Sequence, residues 1–177
     1  MAKAQLASRV KRILALLWSE RKALDDALEN LRKAFGSIDY SGEDHLFTHT
    51  DYYHAEMGSN LKRRLISFRE LAPPESIVEA KINCNLIEEQ SGSPNRRVNL
   101  DIGYLDHGKV ILASFKPAGH KIYLGQGIYV DLIAHYHNRR YKPLDWTFPD
   151  FLNQTYDSDL FTIREIYLKQ FRTTLKC

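Results

Sequence analysis

Arg9-Val-Lys-Arg-Ile-Leu-Ala-Leu-Leu-Trp18 decides how this chain folds. Positions 10, 13, 14, 16, 17 and 18 are apolar, a spacing that fits a buried strand as well as the opening turns of a helix. The next segment has one reading. Leu24, Ala27, Leu28, Leu31, Ala34 and Phe35 recur at helical intervals, with Ser19 as the expected cap and Gly36 as the stop.

Working outward, Ile38 to Phe47 is broken by Ser41, Gly42, Glu43 and Asp44, which predicts a short strand or a loop. Lys62 to Phe68 predicts a strand, with Leu61, Leu65, Ile66 and Phe68 set among basic residues. Pro73 and Pro74 then open a helix that carries Ile77, Ala80, Cys84 and Ile87 along one face, and Ser91-Gly-Ser-Pro94 ends it. From Arg97 the pattern is β, with turns at Asp106-His-Gly108, Pro117-Ala-Gly119 and Gly125-Gln-Gly127, as in an antiparallel meander of three or four strands. An aromatic loop, Leu144 to Phe151, leads to a last helix from about Ser158. Its apolar stripe is Leu160, Ile163, Tyr167 and Phe171, and Lys169, Arg172 and Lys176 stand near the end that favours cations. With Arg9 to Trp18 as a strand, the first hundred residues read βαββαβ, the ferredoxin-like order. The expected class is α+β: an antiparallel or mixed sheet with a ferredoxin-like N-terminal part, extended by β-hairpins, plus a C-terminal helix.

A chain of 177 residues is one domain in length, 1–177, and buries about 70% of its unfolded surface. Hydrophobic residues at 44% and charged residues at 27% describe a globular protein. The longest apolar run, Ile13 to Trp18, is six residues, against roughly 18 for a membrane span. No membrane partner is expected. Met1 to Arg12 is basic and lacks an apolar core with a small-residue cleavage site, so the expected location is cytoplasmic. Cys84 and Cys177 make neither a disulfide framework nor a metal knuckle; the expectation is a core Cys84 and an exposed Cys177. There is no Gly-rich loop ending in Lys-Ser/Thr and no Gly-x-Ser-x-Gly elbow. Gly125-Gln-Gly127 lacks the third glycine of a dinucleotide fingerprint. No cofactor follows from the residues.

Three segments carry a family likeness: Thr50-Asp-Tyr-Tyr-His-Ala-Glu-Met-Gly58, Asn99-Leu-Asp-Ile-Gly-Tyr-Leu105 and His120-Lys-Ile-Tyr-Leu-Gly-Gln-Gly-Ile-Tyr129. Together with Trp146-Thr-Phe-Pro-Asp150 they resemble a bacterial family catalogued as domain of unknown function 4416. The resemblance implies a strand followed by a helix at the start, which selects the strand for Arg9 to Trp18. Family members carry proline where this chain has Ile102, and the resemblance implies no activity, substrate or cofactor.

Alternate side chains of a strand share a face. Arg97, Asn99 and Asp101 therefore line one side, with Val98, Leu100, Ile102 and Tyr104 on the other unless Gly103 marks a bulge. An acid beside an amide suits holding a water, a sugar hydroxyl or a metal, and equally suits capping a turn. His120 is a candidate general acid or anion-binding imidazole. Tyr123 and Tyr129 read as a cross-strand aromatic pair with Asp131 near Lys121. Thr50, Asp51, Tyr52, Tyr53 and Glu56 form a polar aromatic cluster in which Asp51 is a cap or a site residue. His135 and His137 share a face and would need a third ligand to hold a metal; a solvated strand end is the simpler reading, and His45 and His49 add no motif.

The leading expectation is a protein that binds or processes a polar, anionic, nucleotide-like small molecule in a cleft lined by Asp51, Asn99, Asp101 and His120. Asp51, Asp101 and His120 are the candidate catalytic groups, and Arg97, Asn99, Tyr52, Tyr53 and Tyr104 the candidate binding groups, with no metal assigned. One alternative is an RNA-binding module using Lys62-Arg-Arg64, Arg96-Arg97 and Arg139-Arg-Tyr-Lys142. Another is an assembly protein that packs its aromatic loop, Trp146 to Phe151, on a partner. The sequence leaves open whether the protein is an enzyme and what its oligomeric state is.

Overall fold

Val10–Trp18 is a strand (β1), and eight of its nine side chains are buried. A strand covered on both faces has no polar side to alternate with, which is why its sequence reads as an unbroken apolar run. The computed structural model describes residues 3–174. Cys177 and Lys176 lie outside them.

After β1 come a helix α1 (Arg21–Phe35), strands β2 (Ile38–Ser41) and β3 (His45–Leu46), a short helix α2 (His54–Met57) and the long strand β4 (Lys62–Ala72). A single 3-10 turn at Pro74–Ser76 leads into helix α3 (Ile77–Gln90), which is followed by strand β5 (Val98–Leu105). The lateral order β2-β4-β1-β5, antiparallel at each step, is that of a ferredoxin-like unit. Strands β6 (Lys109–Ser114), β7 (Ile122–Gly125), β8 (Ile128–His137) and β9 (Arg140–Pro143) extend the sheet to nine strands. Helices α4 (Pro149–Leu152) and α5 (Asp157–Thr174) complete the described residues.

Two cores lie on opposite faces of the sheet. Leu14, Leu16, Val98, Leu100 and Ile102 pack against α1 and α3 through Leu24, Leu31, Ala80 and Cys84. Ile13, Ala15, Leu65, Val110 and Ile133 pack against α5 through Leu160, Ile163 and Tyr167. Cys84 is fully buried, and burial pushes its thiol up to about 12. No helix among the described residues is long and apolar enough to cross a membrane.

Two expectations are corrected. Beyond β6 the strands do not run as a plain meander, because β8 pairs with β6 and β7 lies outside β8. The physical reason is burial: β8 supplies Ile128, Val130, Ile133 and Ala134 to the cores, whereas Ile122, Tyr123 and Leu124 of β7 are exposed. Positive φ at Gly125, Gln126 and Gly127 closes the tight hairpin that turns β7 back into β8. Ser19 does not cap α1. Glu20 holds the capping position without a side-chain bond, while the buried Ser19 hydroxyl has no partner and its N–H donates to the Arg97 carbonyl. Gly36 ends α1 as expected, with φ +86 and its N–H on the Arg32 carbonyl.

Candidate functional site

The sheet is open at one place. β5 and β6 pair only from Gly103 opposite Leu112 to Leu105 opposite Val110, so Val98 to Ile102 has no strand on that side. Gly103 sits at the apex of this wedge. A β-carbon there would lie 1.9 Å from the Ile111 carbonyl oxygen, so the strands touch at a point that only glycine permits.

An unpaired backbone inside a sheet needs partners, and α3 supplies them. The Leu100 N–H donates to Glu88 Oε1 at 2.8 Å, and the Leu100 carbonyl accepts from Lys81 Nζ at 2.8 Å. Both side chains are buried and stand 3.5 Å apart, and the Arg96 guanidinium caps Glu88 while reaching Glu56 at 2.9 Å. These groups close one side of a cavity of about 240 Å3.

Asn99 and Asp101 project from β5 toward the α5 side of the sheet and form a second wall. Asp101 is tied to Arg63 of β4 at 3.1 Å, across the intervening β1, where the residue level with Asp101 is the small Ala15. Arg63 is buried and also grips Asp150 at 3.0 Å, and Asp150 accepts the Tyr156 hydroxyl at 2.8 Å. Burial works against the guanidinium charge, but Asp150 and Asp101 more than restore it, so its pKa lies above the ordinary value. The rings of Phe47, Phe148 and Phe151 stand 5.4 to 5.7 Å from its central carbon. Tyr53 covers the same corner; burial, aided by Asp101, pushes its phenol up to about 12.

Asp131 of β8 forms the third wall. It lies level with Leu112 of β6, and its Oδ2 is 3.4 Å from His120 Nε2. His120 stacks on Trp146, whose indole N–H donates to the Leu132 carbonyl at 3.2 Å. The other carboxylate oxygen, Oδ1, has no hydrogen-bond partner, and neither has Asn99 Nδ2. Asn99 and Asp131 are only 5% and 4% exposed. Two buried polar groups without partners that face one cavity are a destabilising arrangement unless something else binds them.

That arrangement has a pH signature. Burial raises the Asp131 carboxyl above the ordinary carboxylate range, with His120 and Lys121 opposing. The folded state holds this proton more tightly than the unfolded chain, so the contribution is present below the unfolded value of about 3.9. It is lost as pH rises through the raised one. Asp131→Asn is expected to raise the melting temperature at pH 7 by about 2–4 °C, with no gain near pH 3. Thermal unfolding at the two pH values checks this; a gain that persists in acid would count against a burial cost.

Of the residues singled out in the sequence, the fold brings Asn99, Asp101 and Tyr53 to the cavity, with His120 joined to it through Asp131. Asp51 does not converge: its side chain is 94% exposed and it neither caps α2 nor reaches the wedge, and it meets His54 at 3.2 Å. Tyr52 lies outside the cavity wall beneath Lys116, at 3.7 Å from ring centre to ammonium. Arg97 pairs with Glu20 at 3.2 Å. Tyr104 faces the α1 and α3 core and borders hollows at the joined end of β5. Among the residues not foreseen are Lys81 and Glu88. Both stand within the buried face of α3, and two opposite charges inside an apolar stripe were the available signal.

The basic groups do not form one surface. Arg63 points inward, Arg64 binds Asp44 at 2.6 Å and Arg96 is held by two glutamates. Arg140 lies opposite His137 in the β8–β9 ladder, beyond the opposite end of the strands. The aromatic loop is largely turned inward: Phe151 is buried, Phe148 covers Arg63, and Trp146 is 47% exposed. The His135 and His137 rings stand 6.1 Å apart on an exposed strand end, and among the described residues no group of three or more His, Cys, Asp or Glu is placed to hold a metal. Tyr123 and Tyr129 form the expected cross-strand pair, with ring centres 5.1 Å apart.

No match was found among curated proteins or among solved structures. The family model described as "Domain of unknown function (DUF4416)" matches residues 8–167, a span that runs from just before β1 into α5 and holds every wall of the wedge, and the chain belongs to that family.

Proposed function

We propose that the wedge between β5 and β6 binds a small polar molecule that carries negative charge. The observation behind this reading is the pair of buried, unpartnered groups facing one cavity: the Asn99 amide, a donor, and the Asp131 carboxylate oxygen, an acceptor. Lys81, Arg96, Lys116 and Lys121 line the same space, which gives the cavity a positive balance once its acids are paired. A bound molecule with its own donor, acceptor and charge would complete what the protein leaves open.

Thermal unfolding against citrate, aspartate, inorganic phosphate and ribose 5-phosphate tests it. A ligand at one hundred times its Kd adds about 2.7 kcal/mol, or about 5–10 °C for a chain of this size. The response should vanish in Asn99→Leu, which keeps the side-chain shape and removes the amide donor, and survive in Asp51→Ala, which lies outside the cavity. No response to any of the four, or one indifferent to Asn99→Leu, would remove the proposal.

A further inference from the structure

We propose that the ligand of the wedge is a phosphate monoester of a hydroxylated small molecule, its phosphate held by Lys116, Lys121 and the Ser114 hydroxyl and a hydroxyl of its body held by Asp131. This rests on the reading above and adds the class of ligand.

The argument begins with charge. Among the acids that line the cavity, Glu88 meets Lys81 and Arg96, Asp101 meets Arg63, and Asp131 faces the His120 imidazole. Lys116 and Lys121 line the same cavity, and no ion pair among the described residues includes either. The ring of Tyr52 lies 3.7 Å from the Lys116 ammonium and positions that charge without neutralising it. Two lysines outside any ion pair, of which Lys121 also acts on Asp131, match a phosphate monoester, which carries about −1.5 to −2 near neutral pH, better than a single carboxylate.

Hydrogen bonding points the same way. Ser114 Oγ accepts the Lys116 backbone N–H at 3.0 Å, which leaves the hydroxyl hydrogen free to donate to an oxyanion. Asp131 Oδ1 is an acceptor in search of a donor, and a ligand hydroxyl supplies one. Size narrows the class further. The cavity of about 240 Å3 falls below the roughly 300–1,000 Å3 of sites for drug-sized ligands, which favours a polyol or sugar phosphate over a nucleoside polyphosphate.

The test compares glycerol 3-phosphate, ribose 5-phosphate and glucose 6-phosphate with inorganic phosphate, ribose and citrate. Apparent affinities come from thermal unfolding and calorimetry of the full chain and of Lys116→Ala, Lys121→Ala and Asp131→Asn. Both lysines are at the cavity rim, so their removal leaves the cores intact. At least one ester is expected to bind more tightly than phosphate or its parent polyol, to lose tenfold or more in affinity in each lysine variant, and to weaken with added salt. Asp131→Asn should weaken that ester while leaving inorganic phosphate unchanged. If citrate binds in the cavity and the esters do not, the wedge is an anion site and the phosphate assignment is wrong. Phosphate binding that survives both lysine variants also overturns it. Silence from all six probes takes down the cleft reading as well.

Discussion

Gly103→Ala is expected to destabilise the protein by about 3 kcal/mol, at the upper end of overpacking costs, and to lower the melting temperature by about 6–12 °C. The added β-carbon would sit 1.9 Å from the Ile111 oxygen and 2.8 Å from a Leu112 methyl. Backbone cannot step aside as a flexible side chain can, so β5 and β6 must separate at the point where they meet. Gly119→Ala serves as the control, because a β-carbon there meets nothing within 4 Å. Thermal unfolding of both variants decides the matter: a Gly103→Ala protein as stable as Gly119→Ala would show that the apex is not closely packed.

The second large effect belongs to Arg63. Arg63→Met should cost about 3–5 kcal/mol, since it leaves Asp101 and Asp150 facing one another's surroundings without their shared cation. Arg63→Lys is expected to fall between Met and wild type, because one ammonium cannot bridge two carboxylates that the guanidinium reaches with separate nitrogens, at 3.1 and 3.0 Å. Adding Asp150→Asn to Arg63→Met should recover part of the loss, and a double-mutant cycle by chemical denaturation measures it. Strictly additive losses would mean that the pair is not coupled.

These two residues also show how unevenly the sequence speaks. The helix of Leu24, Ala27, Leu31 and Phe35 was legible from spacing, because one face of a helix buried against a sheet repeats cleanly. β1 was not, since burial on both faces erases the alternation that identifies a strand, and the family likeness had to select it. Asn99 and Asp101 stood out because alternation placed them together opposite Val98, Leu100 and Ile102. Arg63 looked like one of three surface cations. It shares parity with Leu61 and Leu65, both buried, but Ile66 and Phe68 on the other parity are buried too, so pattern gave no preference between the faces. Asp51 was hard to place for a related reason: nothing in the pattern of that polar aromatic loop tells that Tyr53 turns inward and Asp51 outward. Contacts such as Lys81 with the Leu100 carbonyl span two elements, and no local rule foretells them.

The short ladder from Gly103 to Leu105 has a mechanical consequence. It makes the nine-stranded sheet two leaves of a book, one of β2, β3, β4, β1 and β5, the other of β6, β8, β7 and β9, bound along a spine three residue pairs long. α5 is glued across both leaves near the spine, touching Ile13 and Leu65 on one and Val110 and Ile133 on the other. On the other face α3 packs against both β5 and β6, and Arg63 of β4 grips Asp150 beyond β9, so the leaves are tied on both faces and the angle between them sets the aperture of the cleft. The width of the cleft is thus a property of how two packed leaves meet, and not of any one side chain in its walls.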